Sequence, residues 1–207
     1  MDYTSLPDSV TLQRTIEAVR SRGINVTLVE TKESALSQIE VLIPAGATVM
    51  TGASVTLQQI GLETFLKENK HSWRNLKDEL LAESDLVKRA VLRKQATLAD
   101  YFLGSVHAIL ETGEILIASA TGSQLPAYAY SSSNVIWVAG AQKITPTLED
   151  ALHRIRDYAN PHEDQRLKQT LGPQAASFVG KILIFEREAP YLRRSINLIL
   201  VNRVLGV

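Results

Sequence analysis

The centre of the chain reads Val106-His107-Ala108-Ile109-Leu110-Glu111-Thr112-Gly113-Glu114-Ile115-Leu116-Ile117-Ala118. Two apolar runs are separated here by a short polar segment that contains Gly113. A short connection with glycine at a position that needs freedom in φ is typical of a β-hairpin. The stretch therefore predicts two neighbouring strands that run antiparallel in the middle of the chain.

Helices and short strands alternate on both sides of this hairpin. The patterns predict helices over 10–22, 147–158 and 162–171, and strands over 24–30, 47–50, 101–103, 135–139, 181–186 and 195–201. Strands that alternate with helices form parallel sheets covered by those helices. We expect an α/β fold: one domain over residues 1–207, with a mostly parallel mixed sheet flanked by helices and a central β-hairpin.

The composition excludes several classes of function. Lys plus Arg and Asp plus Glu both number 22, and this balance disfavours a nucleic-acid-binding protein. The absence of cysteine excludes disulfides, thiolate zinc sites and cysteine-ligated iron–sulfur clusters. The four histidines lack the close spacing of metal ligands, so no metal site is expected.

The distribution of apolar residues disfavours a membrane protein. Residues 1–8 have no apolar core of the kind found in secretory signals. No apolar run approaches the roughly 20 residues that a membrane-spanning helix needs. A cytoplasmic protein is therefore expected.

Two glycine-containing segments have the pattern of anion-binding loops. Thr51-Gly52-Ala53-Ser54 joins a predicted strand to a helix that contains Thr56, and Thr121-Gly122-Ser123 precedes a second helix. A strand, a tight turn and a helix start direct backbone N–H groups towards an anion. The alternative for Ser54 is a simple helix N-cap.

Three charged residues are further candidates for the same site. Glu111 ends a predicted strand, where ligands bind in α/β sheets, and would act there as nucleophile, base or clamp. The alternative is a solvated turn residue. Lys143 follows the strand over 135–139 and would supply the counter-charge for an anion, unless it is an ordinary exposed lysine. Asp100 either positions a hydroxyl group or caps a turn.

The polar stretch over 62–83 leaves several interpretations open. It is compatible with a lid over the site, with a contact in a homo-oligomer, or with a surface excursion.

The sequence resembles the LUD (lactate utilisation) domain family. The similarity lies in Ala108–Gly113, Thr121–Ser123, Val135–Gly140 and Gln142–Pro146, and it extends to Gly52–Leu57 and Leu198–Gly206. It implies a fold similar to the NagB/RpiA/CoA-transferase superfamily, with ligands at the strand ends. Relatives with this pattern often carry cysteines after Pro161, and this chain has none, so it holds no cysteine-ligated cluster of its own.

The resemblance implies a role in organic-acid, lactate-type metabolism. The expected ligand is a small anionic metabolite, and the expected partners are iron–sulfur oxidoreductase proteins. One alternative is an acyl- or CoA-transferase-like enzyme that uses Glu111, because CoA transferases have a glutamate closely followed by glycine; this alternative keeps a CoA- or nucleotide-type ligand open. The other is a non-catalytic accessory subunit of a redox complex.

Overall fold

The computed structural model describes residues 2–207, and ten strands form its framework. In chain order they are β1 (Asn25–Val29), β2 (Thr48–Thr51), β3 (Arg74–Asn75), β4 (Tyr101–Gly104), β5 (Ala108–Leu110), β6 (Ile115–Ser119), β7 (Asn134–Gly140), β8 (Ile144–Thr145), β9 (Lys181–Phe185) and β10 (Ser195–Val201). Six of them form a parallel sheet in the order β1-β10-β7-β4-β2-β3. The predicted α/β fold with a mostly parallel sheet is thus confirmed.

The remaining four strands form a second sheet, in the order β8-β5-β6-β9. The predicted hairpin is present, because β5 and β6 pair antiparallel and Gly113 in their connection has a φ of +97°. It does not extend the first sheet. Strand β8 pairs parallel with β5, and β9 pairs antiparallel with β6.

Eight α-helices surround the sheets. They are α1 (Ser9–Ser21), α2 (Lys32–Leu42), α3 (Val55–Gln59), α4 (Leu62–Lys67), α5 (Leu76–Ala82), α6 (Leu86–Gln95), α7 (Leu148–His153) and α8 (Asn160–Leu171). Single 3₁₀ turns lie at Ala96–Leu98, Ala141–Lys143 and Pro190–Leu192, and π-helical turns at Ala127–Ser131 and Arg154–Ala159. No helix within residues 2–207 combines the length and the apolar composition needed to cross a bilayer.

Helix starts follow the capping residues in the sequence. The side chains of Asp8, Thr31, Ser54 and Thr147 each accept hydrogen bonds from backbone N–H groups in the first turn of the following helix. Such caps satisfy donors that a helix leaves unpaired at its N-terminus. The local sequence therefore fixes where these four helices begin.

The predicted break between two helices near Pro161 is absent. Helix α7, the π-helical turn Arg154–Ala159 and α8 follow one another without interruption. A proline ring in an α-helix collides with the carbonyl group four residues earlier. The wider π-helical turn lies directly before Pro161, at the place of this collision, so the helix passes the proline.

Strand β7 explains how the layers pack. Val135, Trp137 and Ala139 face α1 and the second sheet, whereas Ile136 and Val138 face α2, α3 and α4. Both faces of the strand are therefore buried, which accounts for its uninterrupted apolar sequence. The second sheet has its own outer cluster, in which Ala108 and Leu116 pack against Ile155.

The chain crosses repeatedly between the two sheets, and these crossings position the site. Residues 105–107 lead from β4 to β5, residues 120–133 from β6 to β7, and residues 141–143 from β7 to β8. Two of these crossings start at carboxyl ends of the parallel sheet, the edge at which α/β proteins bind ligands. Polar residues on the crossings therefore collect between the sheets.

Candidate functional site

A cavity of about 490 Å³ lies at the carboxyl ends of β2 and β4. Its lining includes the segment 50–56, the crossing 105–107 and residues 118–121 at the end of β6. Residues of α8 and of the segment 177–179 also line it. The volume lies within the range of about 300–1,000 Å³ that is usual for ligand pockets. We call it the inter-sheet cavity.

Lys143 is the most unusual residue on its wall. The side chain is buried, with only 2% of the residue exposed, although it lines the inter-sheet cavity. Its Nζ lies within hydrogen-bond distance of Val106 O at 3.0 Å and of Thr56 Oγ1 and Ser105 Oγ at 3.2 Å each. Lys143 is therefore not an ordinary exposed lysine: it joins residues from three segments at the edge of the sheet.

Hydrogen bonds between Gln142 and the C-terminal segment hold Lys143 and its partners in place. The Gln142 side chain donates to Leu205 O at 2.8 Å and accepts from Leu205 N at 3.2 Å. The next residue, Gly206, packs so closely that a Cβ atom there would lie 2.1 Å from Thr56 Oγ1 and 3.2 Å from Lys143 Nζ. The glycine thus lets the backbone pass close to Thr56 and Lys143.

Lys143 has no acidic partner within residues 2–207. Its three partners are neutral, and no carboxylate in residues 2–207 forms an ion pair with Nζ. Burial, and secondarily the positive charge of Arg154, lower the pKa of Lys143 well below its ordinary value. Burial therefore destabilises the charged form of the Lys143 amine.

Arg154 is a second buried cation beside the cavity. It lies in the π-helical turn that follows α7, is fully buried, and donates from Nη1 to His107 O at 2.9 Å. Its guanidinium carbon is 5.2 Å from the centre of the Tyr158 ring. Nε and Nη2 have no hydrogen-bond partner among the described residues. The region around His107 thus contains two basic side chains, Lys143 and Arg154, and neither forms an ion pair within residues 2–207.

His107 is a neutral group near both of these residues. Its Nδ1 accepts from the Ala118 backbone N–H at 3.1 Å, so the ring proton is on Nε2. Burial, followed by the charges of Lys143 and Arg154, lowers the pKa of His107 from 6.5 to about 3. The residue also lines the inter-sheet cavity. The sequence predicts a packed histidine in a strand, but the structure places His107 in the crossing directly before β5. Nothing in its apolar neighbours indicates the cavity.

The first predicted anion loop lies on the cavity wall. Thr51, Gly52, Ser54 and Thr56 all line it. Two N–H groups near this loop are already satisfied: Gly52 N donates to Leu103 O at 2.9 Å, and Leu57 N donates to Ser54 Oγ at 3.2 Å. Ser54 is thus an N-cap, as the alternative interpretation predicts, and also faces the cavity.

Two residues of the second predicted loop also line the cavity. Thr121 and Ser123 line the cavity, and Thr121 Oγ1 accepts from Ser123 N at 3.3 Å. Gly122 does not line it; its N–H donates to Ser119 Oγ at 2.9 Å, and a Cβ atom there would lie 2.6 Å from the Lys181 side chain. The structure therefore brings both loops and Lys143 to one cavity.

Asp100 and Glu111 lie elsewhere. Asp100 precedes β4 at the amino end of the sheet, and its carboxylate accepts from Thr48 N at 2.9 Å and Thr48 Oγ1 at 2.6 Å. These bonds lower the pKa of Asp100. Glu111 follows β5 in the second sheet, outside the cavity, and forms an ion pair with the exposed Arg14 of α1. Neither carboxylate adjoins the two loops.

Tyr128 is a cavity residue that the sequence does not single out. It lies in the π-helical turn Ala127–Ser131, is 2% exposed, and lines the cavity. Its ring packs edge-on against Phe102 and Trp137, with centroid distances of 5.3 and 5.6 Å. The surrounding sequence predicts only an ordinary apolar helix face, so the position of the hydroxyl group has no sequence signal.

The described part of the chain contains no group of three His, Asp or Glu side chains arranged to hold a metal ion.

Comparison with known proteins identifies a family and a fold. The family model described as LUD domain matches residues 12–180. The structure is similar to the crystal structure of a DUF162 family protein from Deinococcus radiodurans, with a TM-score of 0.54 and 12% sequence identity. The superposition covers 95% of this chain and 98% of that one, and at this identity it shows the fold alone. None of the curated proteins matches the sequence.

Proposed function

The chain belongs to the LUD domain family, and from this premise we propose that it binds a small organic anion in the inter-sheet cavity, with the negative group at Lys143. The observation that carries the proposal is the buried Lys143 amine, which forms no ion pair within residues 2–207. Burying an unpaired charge is costly, and a bound carboxylate or phosphate supplies the missing negative charge. The anion also restores the protonated form of the amine.

Other basic residues on the cavity wall differ from Lys143. Lys77 Nζ lies 3.9 Å from a carboxylate oxygen of Glu63, and Arg166 Nη2 lies 2.6 Å from one of Glu163. These two cations already have acidic partners and are partly exposed. Arg93 also lines the cavity, but it is an exposed residue of α6. Lys143 combines deep burial, a cavity position and the lack of a carboxylate, which makes it the favoured contact for an anion.

The lining of the cavity supports an organic ligand over a bare inorganic ion. Three residues with hydroxyl groups, Thr51, Ser54 and Thr121, line the same cavity as the apolar residues Leu80 and Phe178. A site with a few polar groups among apolar surface is typical of small-molecule binding. A role in organic-acid metabolism is therefore our proposal for this chain.

The acyl- or CoA-transfer alternative lacks such support. Its nucleophile would be Glu111, which is ion-paired with Arg14 outside the cavity. A catalytic carboxylate has to lie within reach of the bound substrate. We therefore do not carry this activity into the proposal.

The test is a thermal-unfolding titration of the full chain with sodium butyrate and, separately, with inorganic phosphate. Sodium chloride at equal ionic strength corrects for general salt effects. An anion at about ten times its Kd stabilises a protein by about 1.4 kcal/mol, or about 3–6 °C in Tm for a domain of this size. We expect this shift in the wild type and its loss in Lys143→Met.

Lys32→Met provides the matched control. Lys32 lies at the start of α2 with an exposed side chain and does not line the cavity. It should keep the full shift in Tm. An equal shift in Lys143→Met would contradict the position of the anion, and the absence of a shift with both anions would contradict the function.

A further inference from the structure

Helix α6 has its apolar residues on the outside of the molecule. None of its ten residues, all of which the structure describes, is buried, and its Leu92 packs only partly buried against the neighbouring core cluster. On the outer side, Leu86, Val87 and Val91 are between 48% and 76% exposed, and Ala90 is also exposed. A helix on a folded domain normally turns its apolar stripe towards the core. The outer side of α6 therefore has the character of an interface.

Two exposed leucines extend this outer side beyond the helix. Leu81 near the end of α5 and Leu98 in the 3₁₀ turn after α6 belong to the segments that flank α6 directly. Single exposed apolar residues are normal, whereas a group of neighbouring ones marks an interaction site. We define the α6 surface by its six apolar residues: Leu81, Leu86, Val87, Ala90, Val91 and Leu98.

The α6 surface has an acidic end and a basic end. Glu83 and Asp85 precede the apolar residues of the helix and form the acidic end. Arg93 and Lys94 form the basic end, and they share the helix face of Ala90 because residues three or four apart lie on one side. None of these four charged side chains forms an ion pair within residues 2–207. Asp85 caps α6 through Oδ1, which leaves Oδ2 for another contact.

A second copy of α6 in the antiparallel orientation complements this pattern. The acidic end of each helix then lies beside the basic end of the other, and Val87, Ala90 and Val91 meet at the centre. In a two-fold symmetric interface each contact occurs twice, so an ion pair at one end is repeated at the other. A parallel orientation would instead place like charges together at both ends.

Other occupants match the α6 surface less well. Anionic lipids would attract the basic end but repel the acidic end, and the surface lacks the Trp and Phe residues with which many interfacial helices insert into a bilayer. A uniformly acidic protein would meet the same repulsion at the acidic end. The opposite signs of the two ends therefore favour self-association.

We propose that the α6 surface joins two copies of this chain in a symmetric dimer with antiparallel α6 helices. Leu81 and Arg93 also line the inter-sheet cavity, so the second copy would lie beside the edge of that cavity. The dimer does not depend on the proposed binding of an anion.

Sedimentation velocity of the full chain from micromolar to near-millimolar concentration tests for the dimer. The wild type should shift from monomer to dimer as its concentration rises. The double variant Val87→Arg, Val91→Arg places like charges at the centre of the interface and should weaken dimerisation at least about tenfold. Both positions are exposed, so its far-UV circular dichroism should match the wild type. Val41→Arg, the same change at an exposed valine of α2, should leave dimerisation unchanged.

Cross-linking tests the orientation, because the chain contains no cysteine of its own. Ala90→Cys, at the centre of the helix, should form a disulfide between two copies under mild oxidation. Val87→Cys and Lys94→Cys introduce thiols about 10 Å apart along α6. A disulfide needs Cα atoms within about 7 Å, so a mixture of these two variants should cross-link more readily than either one alone. Val41→Cys, outside the α6 surface, should not cross-link.

Three outcomes would overturn the proposal. A wild type that stays monomeric at every concentration would refute the dimer, and its binding to phosphatidylserine vesicles would show a membrane as the occupant instead. A dimer that persists in Val87→Arg, Val91→Arg would place the interface elsewhere. Cross-linking of Val87→Cys alone as readily as in the mixture would refute the antiparallel orientation. The thermal titrations with butyrate and phosphate decide anion binding separately.

Discussion

Replacing Lys143 by methionine should make the stability of the protein less dependent on pH. Burial lowers the pKa of Lys143 well below its ordinary value of 10.5, whereas the unfolded chain restores that value. Between the two values the unfolded state binds a proton that the folded state does not. The free energy of unfolding of the wild type therefore rises with pH in this interval, by at most about 1.4 kcal/mol per pH unit.

The hydrogen bonds that the variant loses are few. Without the amine, Ser105 Oγ still donates to Thr56 Oγ1 at 3.1 Å, so the hydroxyl groups of both residues remain paired. Val106 O loses one donor, which costs about 1 kcal/mol at every pH. Lys143→Met also removes the amine that is unfavourable to bury in its charged form. This gain should offset the lost hydrogen bond of Val106 O most strongly at low pH.

Urea unfolding of both proteins at pH 7, 8 and 9 measures the effect. The wild type should gain up to about 2.7 kcal/mol across this range relative to Lys143→Met. The difference between the two proteins cancels the titration of other groups, including Tyr128, whose raised pKa lies above this range. A difference that does not vary with pH would show that Lys143 stays protonated in the folded protein and would refute the reasoning.

Three further predictions concern other parts of the fold. Because burial lowers the pKa of His107 from 6.5 to about 3, the wild type should lose at most about 5 kcal/mol of stability as the pH falls through this range. In His107→Asn this loss of stability should be absent when the free energy of unfolding is measured with urea at acidic pH. Equal losses in the wild type and the variant would contradict the assignment of the lowered pKa to His107. Gly113→Ala places a Cβ atom 2.6 Å from the carbonyl carbon of Ala18, whereas Gly46→Ala, also at a positive φ, has no atom within 4 Å. Denaturation should show that the free energy of unfolding falls by about 3 kcal/mol in Gly113→Ala and by about 1 kcal/mol in Gly46→Ala. Equal losses in the two variants would exclude the clash as the cause. Glu111→Gln removes only an exposed ion pair and should cost less than about 1 kcal/mol with no change in the Kd for butyrate; a tenfold weaker Kd would return Glu111 to the site.

The parallel sheet could be predicted because its signals are local. Apolar runs such as Val135–Ala139, separated by capped helices, identify buried strands and their covering helices. The partner of each strand is not a local property. The apolar runs of β5 and β6 resemble those of the first sheet, and the hydrophobic pattern alone does not indicate that they form a second one.

Because local sequence does not identify the partner of a strand, only some of the site residues can be predicted from the sequence. The Thr51–Thr56 loop and Lys143 follow strands of the parallel sheet, so the rule about carboxyl ends brings them together. Glu111 also follows a strand, but β5 belongs to the second sheet, and the rule does not extend to it. Tyr128 reaches the cavity through the packing of its ring and the lack of a side chain at Gly104, which no motif records.

Because of the crossings between the sheets, the ligand preference of the cavity can change in evolution without a change in the strands. The segments 105–107 and 141–143 lie between strands, so one inserted residue, about 3.3 Å of chain, leaves the register of both sheets intact. Such an insertion would change the spacing between the cavity walls. Hydrogen bonds from Lys143 to Ser105 and Val106 join the two segments, so a change in one would be transmitted to the other. Related chains could therefore acquire ligands of different size through paired changes in these two short segments, with the strands unaltered.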